Sequence, residues 1–444
     1  MRLPLTLSRR LLTVFGVAAI AALGAVAPNV VVASNCENTA MGLVPLTDLA
    51  GATYRGVEGG LYPGSVNVPS SHHLNGGLIE AASVVPRDTA GTPDPDSGQI
   101  VVLTIGMSNC SQESNAFIML AEDDPLRDPR VFIVNGAQPS QTAEIIDDPE
   151  APFWDVIDER LAERGLTPQQ VQAVWFKETN QYPTQPFPFY PNLLKDEFAT
   201  IMQIIRDRFV NARLCYCSSR TYGGYASIEL NPEPYAYHSG FAVKWLIEDQ
   251  MSGDPALNYA ASHGEVESPW IAWGPYLWAD GMTPRSDGLI WECADFWEID
   301  GTHPSTSGEL KVAQMLLEFF HSDPTAASWY IDDAFTGVSP PAHGGESSSG
   351  AAGDPIVLLR PHPNPFNPGV VIPLEVRVAG RARIDVLSVS GRRVATLVDR
   401  TLGAGTHEIV WDGLDDNGVP VGSGTYFLQL GNRTKPAHKL TLVR

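Results

Sequence analysis

Four short apolar runs recur through the first half of the chain: IVVLTI at 100–105, VFIVN at 131–135, VQAVWF at 171–176 and RLCYC at 213–217. Each is rich in β-branched or aromatic residues and too short for a helix, the pattern of a strand buried on both faces. Between the third and fourth, Leu194, Phe198, Ile201, Ile205 and Phe209 repeat at intervals of three and four and so form one apolar helical face. Further helices are predicted around 241–251 and over 309–320. Strand and helix in alternation predict an α/β fold with a parallel sheet between two helical layers. Sheets of this kind build their sites at the C-terminal ends of the strands.

The texture changes at residues 337–354, GVSPPAHGGESSSGAAGD, which carry no hydrophobic period and read as a linker. Beyond them ARIDVLSV, RRVATLV, HEIVW, TYFLQL and HKLTLV alternate with Gly, Asn and Asp turns, so 355–444 reads as a small all-β sandwich of immunoglobulin type. At the other end, Arg2, Arg9 and Arg10 precede an apolar run from Leu11 to Ala27. That pattern predicts a signal peptide over 1–33 with cleavage after Ala33 and no stable membrane span once it is removed, with a retained N-terminal anchor as the alternative. Residues 34–97 form a turn-rich segment without a secure place, and 98–336 hold the α/β domain.

The 51 acidic residues outnumber the 29 basic ones, for a formal charge of -22. Phosphate binding needs a basic face, so a nucleic-acid partner is not expected, nor is an anionic membrane. Five cysteines in an exported chain can form disulfides, but an odd count leaves at least one unpaired within the chain. Cys215 and Cys217 alternate on one strand face and read as buried thiols rather than a zinc site. His72 and His73 read as surface histidines of a Gly-rich loop, and no metal is predicted. The tryptophans at 270, 273, 278, 291 and 297 read as core filling that shapes a pocket, with stacking on sugar faces as the other reading.

Two motifs carry chemistry. GMSN, Gly106 to Asn109, ends the first predicted strand and offers Ser108 as a nucleophile in a turn that presents hydroxyl and backbone N–H together. DGTHPS, Asp300 to Ser305, places an acid and an imidazole three residues apart at the mouth of the last helix, where Thr306 and Glu309 suggest a capping box. A serine hydroxyl needs a base; His303 can take its proton while Asp300 fixes the imidazole tautomer. The motif is not the G-x-S-x-G elbow of α/β-hydrolases, because Cys110 stands where the second glycine would be.

The pair GMSN and DGTHPS resembles the SGNH hydrolase superfamily, in particular carbohydrate esterases of the sialate O-acetylesterase type. The resemblance implies a three-layer, flavodoxin-like α/β/α fold and a Ser108–His303–Asp300 triad acting on short acyl esters without a cofactor. It also implies an oxyanion hole formed by Ser108, Gly136 in VNGAQ and Asn180 in FKETNQ, with Asn109 and Glu178 as possible substrate-orienting residues. Met107 replaces the glutamine of those esterases, and KETN departs from their third motif. An acylated small molecule or a polysaccharide is the expected substrate; a catalytically silent glycan-binding protein and a lipid esterase or phospholipase are the competing readings. PHPNPFNPG, SGRRVATL and WDGLDDNGVPVGSGTYF resemble the flagellar hook-cap-like immunoglobulin module and the sorting domains of type IX secretion substrates. That implies a bacterial protein that meets secretion machinery through this domain and ends at the cell surface or in the medium; a passive carbohydrate-binding or spacer domain is the alternative.

Overall fold

All seven residues of β1 (Ile100–Gly106) and of β3 (Val171–Lys177) are buried, as runs without a polar face require of strands covered on both sides. With β2 (Val131–Asn135), β4 (Leu214–Cys217) and β5 (Trp270–Trp273) they make one parallel sheet in the order β2-β1-β3-β4-β5. In the register, Gly106 at the end of β1 lies opposite Lys177 at the end of β3. The order doubles back at β1, where β2 goes to one side and β3 to the other. Crevices form at such switch points, outside the carboxyl ends of the strands.

The computed structural model describes residues 33–332 apart from 50, and 356–442 apart from 359–360, 362–365, 367–368, 389–391, 423 and 432–437. The linker at 337–354 and the signal segment, except for Ala33, lie outside the described residues. Helices flank the sheet: α1 (Ser71–Ala82), α2 (Ser108–Glu122), α3 (Pro152–Glu163), α4 (Phe189–Arg208), α5 (Tyr235–Met251), α6 (Thr306–Ser322) and the short α7 (Pro324–Tyr330). In α4 the predicted stripe of Leu194, Phe198, Ile201 and Ile205 is wholly buried. The aliphatic and aromatic side chains so buried contribute about 1.5–3 kcal/mol each relative to exposure.

Three expectations change here. The turn-rich segment 34–97 contains α1, capped where Ser70 Oγ accepts from His73 N–H. His73 is therefore not a surface residue: it is buried, stacks on Trp270 at 4.9 Å and hydrogen-bonds the Ile271 carbonyl, and burial pushes its imidazole down to about 4. The start of α6 is not a capping box either. Its N-cap is Ser305, whose hydroxyl donates to Ala294 O, and Glu309 Oε1 accepts from Gln112 Nε2 instead. The fifth strand was hidden because Trp270 and Trp273 read as members of an aromatic cluster rather than as a strand.

A disulfide joins Cys36 to Cys293, while Cys110, Cys215 and Cys217 are free and buried. The bridge ties the start of the described chain to the turn ahead of Asp300. Replacing both Cys36 and Cys293 by serine is expected to lower stability by about 2–4 kcal/mol through the freed unfolded chain. Urea midpoints of wild type with and without reductant check it: reductant must shift the wild type and leave the double variant unmoved.

The C-terminal strands pair with one another antiparallel, and one parallel bridge joins Phe366 to Leu442. Strands β6 (Ile356–Leu358), β7 (Val370–Val376) and β10 (Gly405–Trp411) form one sheet in the order β10-β7-β6. Strands β8 (Gly380–Ser388), β9 (Arg393–Leu402), β11 (Gly424–Leu430) and β12 (His438–Leu442) form the other in the order β9-β8-β11-β12. Ile372, Leu374, Ile384, Val386, Leu428 and Leu440 alternate inward to make its core.

Candidate active site

The chain leaves β1 at Gly106 and enters α2 two residues later at Ser108. A side chain at 106 would put its Cβ 2.2 Å from the Lys177 carbonyl oxygen and 2.6 Å from Cys110 Cβ, so only glycine lets the turn pack this tightly on β3. Ser108 is the first residue of the helix, and its N–H has no acceptor among the described residues, as expected of a first-turn amide. Cys110, two residues on, is no rival nucleophile: it is buried, and burial pushes its thiol far up.

The second motif meets the first. Ser108 Oγ lies 2.8 Å from His303 Nε2, and His303 Nδ1 lies 2.7 Å from Asp300 Oδ2. A carboxylate only accepts, so Nδ1 carries the proton and Nε2 keeps its lone pair toward the serine hydroxyl. Asp300 is itself held: Oδ1 accepts from Thr302 N–H at 2.8 Å and from His303 N–H at 3.0 Å. The loop closes on itself, with Trp297 N–H donating to His303 O at 2.8 Å and Gly301 N–H donating to Trp297 O at 2.8 Å. Gly301 has φ +61°, and a Cβ there would stand 1.9 Å from the Tyr225 carbonyl oxygen, so the glycine of DGTH is required on both counts.

Asn109 is buried and donates from Nδ2 to Thr302 O at 2.7 Å. It orients the loop that carries Asp300 and His303. For Glu178 the substrate-orienting expectation is corrected. Its carboxyl is buried, Oε1 accepts from Thr179 N–H at 2.8 Å, and Oε2 has no partner among the described residues. Burial raises its pKa well above the usual carboxylate range, so it sits as a sealed acid and does not meet solvent.

Of the three expected oxyanion donors, Ser108 N–H is free. Gly136 N–H is not: it donates to Thr104 O at 3.0 Å, extending the pairing of β2 with β1 by one residue. That removes Gly136 from the set. Asn180 is largely committed as well, since Nδ2 donates to Glu197 Oε2 at 2.6 Å and Oδ1 accepts from Glu144 N–H at 3.0 Å. One of its amide hydrogens is left over. The neighbouring Gln181, which the sequence reading passed over, brings its side-chain amide to 4.0 Å from Met107 Sδ, beside the nucleophile. The signal that could have found it was the departure of KETN from the third motif of the esterases that the sequence resembles.

Beneath this turn lies a buried ion pair. Lys177 Nζ, 1% exposed, is 2.5 Å from both oxygens of Glu113, 0% exposed, and so links the end of β3 to α2 five residues past Ser108. Burial lowers the Lys177 pKa, and Glu113 opposes that shift. Arg220, also buried, lies within electrostatic reach of Glu113 and Glu178. Among the described residues no cluster of three or more His, Cys, Asp or Glu is arranged to hold a metal, and no helix is long and apolar enough to cross a membrane.

Residues 373–435 match the FlgD Ig-like domain. The match falls within the two antiparallel sheets of the C-terminal region, whose immunoglobulin-like character it shares. No curated protein sequence matches the chain. Dimeric latent PorU from Porphyromonas gingivalis aligns at 19% identity and TM-score 0.18 over 21% of this chain and 10% of that one, so the chain spans about a tenth of PorU. A gut microbial diltiazem-metabolizing enzyme aligns at 11% identity and TM-score 0.28, covering 67% of this chain and 70% of its own. The periplasmic domain of a Salmonella ser. Paratyphi A lipopolysaccharide acetyltransferase aligns at 11% identity and TM-score 0.29, covering 57% and 97%. With TM-scores this low, these likenesses bear on neither activity nor substrate. The FlgD Ig-like domain is the firm similarity, and it covers none of the α/β region.

Proposed function

We propose that the chain is an exported serine hydrolase of carboxylic esters, with Ser108 as nucleophile, His303 as base and then acid, and Asp300 as the group that orients His303. The single observation that carries the reading is the run of hydrogen bonds from Ser108 Oγ to His303 Nε2 and from His303 Nδ1 to Asp300 Oδ2, at 2.8 and 2.7 Å. Ser108 Oγ bonds to the ester carbonyl carbon as its proton passes to Nε2, and the carbonyl electron pair moves onto oxygen. Ser108 N–H donates to that oxyanion, and a lost donor of this kind costs about 2.7–4 kcal/mol. Collapse expels the alcohol oxygen, which takes the proton from Nε2. Water then repeats the sequence on the acyl-serine and releases the acid.

The substrate class that goes with the family resemblance is a short acyl ester such as an O-acetyl group on a polysaccharide. Export is supported by the Cys36–Cys293 disulfide, a bond of oxidising compartments, and by the FlgD Ig-like domain, for which contact with bacterial secretion machinery is the role proposed. No step needs a cofactor.

The test is covalent labelling. The mature protein, incubated with an organophosphorus serine reagent, is expected to take up one adduct on the peptide carrying Ser108 and to lose its turnover of 4-nitrophenyl acetate in proportion. Turnover that survives complete labelling would exclude Ser108, and neither labelling nor turnover would favour the silent glycan-binding reading.

A further inference from the structure

Four of the five clustered tryptophans, Trp270, Trp273, Trp278 and Trp291, are buried in the core, but Trp297 is 43% exposed. It stacks on the imidazole of His303 with ring centroids 5.0 Å apart and planes 30° from parallel. An exposed indole this close to the base asks for an explanation that packing does not give, because a core residue would be covered. Nor is it a loose surface side chain. Its N–H donates to His303 O, its carbonyl accepts from Gly301 N–H and Asp300 N–H, and Phe296 and Pro304 bridge the two ends of the loop. The backbone that presents the indole is the same closed loop that presents the imidazole.

From this we infer that Trp297 is a specificity-determining residue: it forms a platform for the alcohol half of the ester and selects alcohols that present the flat face of a ring. The inference rests on the ester-hydrolase reading of Ser108 and His303. His303 Nε2 gives its proton to the departing alcohol oxygen, so whatever carries that oxygen lies next to the imidazole in the transition state. The exposed ring in contact with that imidazole is Trp297. The acyl group, by contrast, is bounded by the free N–H of Ser108 at the start of α2. The indole therefore discriminates among alcohols and not among acyl chains. Apolar ring faces stack on an indole with useful free energy, and both a pyranose and an aryl ring offer such a face. A chain of methylenes offers less contact to a rigid plane, which separates this platform from a groove for lipid.

The test compares acetate esters that share one acyl group: methyl acetate, phenyl acetate and an O-acetylated methyl glucoside. Trp297→Ala is expected to lower kcat/KM for one or both ring-bearing esters about tenfold more than for methyl acetate, a span accessible to a single stacking contact. Trp297→Phe is expected to fall between. Taking the ratio of variant to wild type for each ester cancels the differing leaving-group reactivities. Selective loss with the glucoside alone assigns the platform to sugars, and with phenyl acetate alone to aryl alcohols. Equal loss with all three would overturn the inference and leave Trp297 as a residue that merely positions His303.

A wild type inactive on every ester would sink the hydrolase reading instead, and the platform is then judged by binding. The Trp297 indole N–H resonance, identified by its loss in Trp297→Phe, must move on addition of methyl glucoside or phenol and stay still with methanol. A resonance unmoved by both ring alcohols overturns the platform.

Discussion

Alanine at Ser108 is expected to lower kcat/KM toward 4-nitrophenyl acetate by on the order of 10⁴-fold or more, and alanine at His303 by a similar factor. The decisive variant is the pair. If Ser108 Oγ and His303 Nε2 act as one unit across their 2.8 Å hydrogen bond, the double variant is no slower than either single one, because each substitution alone already abolishes proton transfer from the attacking oxygen. Losses that multiply would show two independent contributions and exclude the shared step. Retained folding is expected, since His303 is partly exposed and Ser108 sits at a helix start where its side chain caps nothing. Near-ultraviolet circular dichroism and the urea midpoint check this, and a variant whose midpoint falls with its activity would not count as evidence. Turnover that remains above buffer comes from the N–H at position 108, which alanine keeps.

Much of this arrangement was legible from residue types alone, and the failures are as informative. The strands at 100, 131, 171 and 213 announced themselves because a parallel sheet buries both faces, leaving continuous apolar runs. Ser108 and His303 were legible because GMSN and DGTHPS together are far more specific than either motif alone, each of which is an ordinary turn. Their meeting, 195 residues apart in sequence, was an inference from topology that only coordinates could give a distance. The fifth strand at Trp270–Trp273 and the helix at Ser71–Ala82 were missed for different reasons: one is short and its tryptophans read as part of an aromatic cluster, the other has glycines at 76 and 77 that argue against a helix. Gly76 and Gly77 are there because Tyr259 and Trp270 pack where a Cβ would stand, a tertiary demand that no local propensity encodes. The oxyanion donors were least legible. A backbone N–H has no sequence, and whether Gly136 N–H is free depends on whether the β2 pairing runs one residue further, which it does.

The buried charges under Ser108 yield the largest expected change in stability, and its sign pattern is specific. Burial raises the Glu178 pKa, which makes it a weak counter-charge, while Glu113 pairs with Lys177 and also lies, like Glu233, within electrostatic reach of Arg220. Glu113 therefore serves both Lys177 and Arg220. Glu113→Gln removes the carboxylate that faces both buried cations, and is expected to destabilise by about 3–5 kcal/mol, the range for breaking a buried pair. Lys177→Met leaves Glu113 with Arg220 as its remaining cationic neighbour, so it is expected to destabilise by only about 1–2 kcal/mol, the ordinary range for a point substitution. Adding Lys177→Met to Glu113→Gln is then expected to recover part of the loss rather than deepen it, because it removes one of the two stranded cations. Urea titrations at neutral pH, with unchanged slope as the sign of two-state behaviour, measure all three. Equal destabilisation by the two single variants would mean that Glu113 answers only to Lys177 and that Arg220 draws its counter-charge from Glu178 or Glu233.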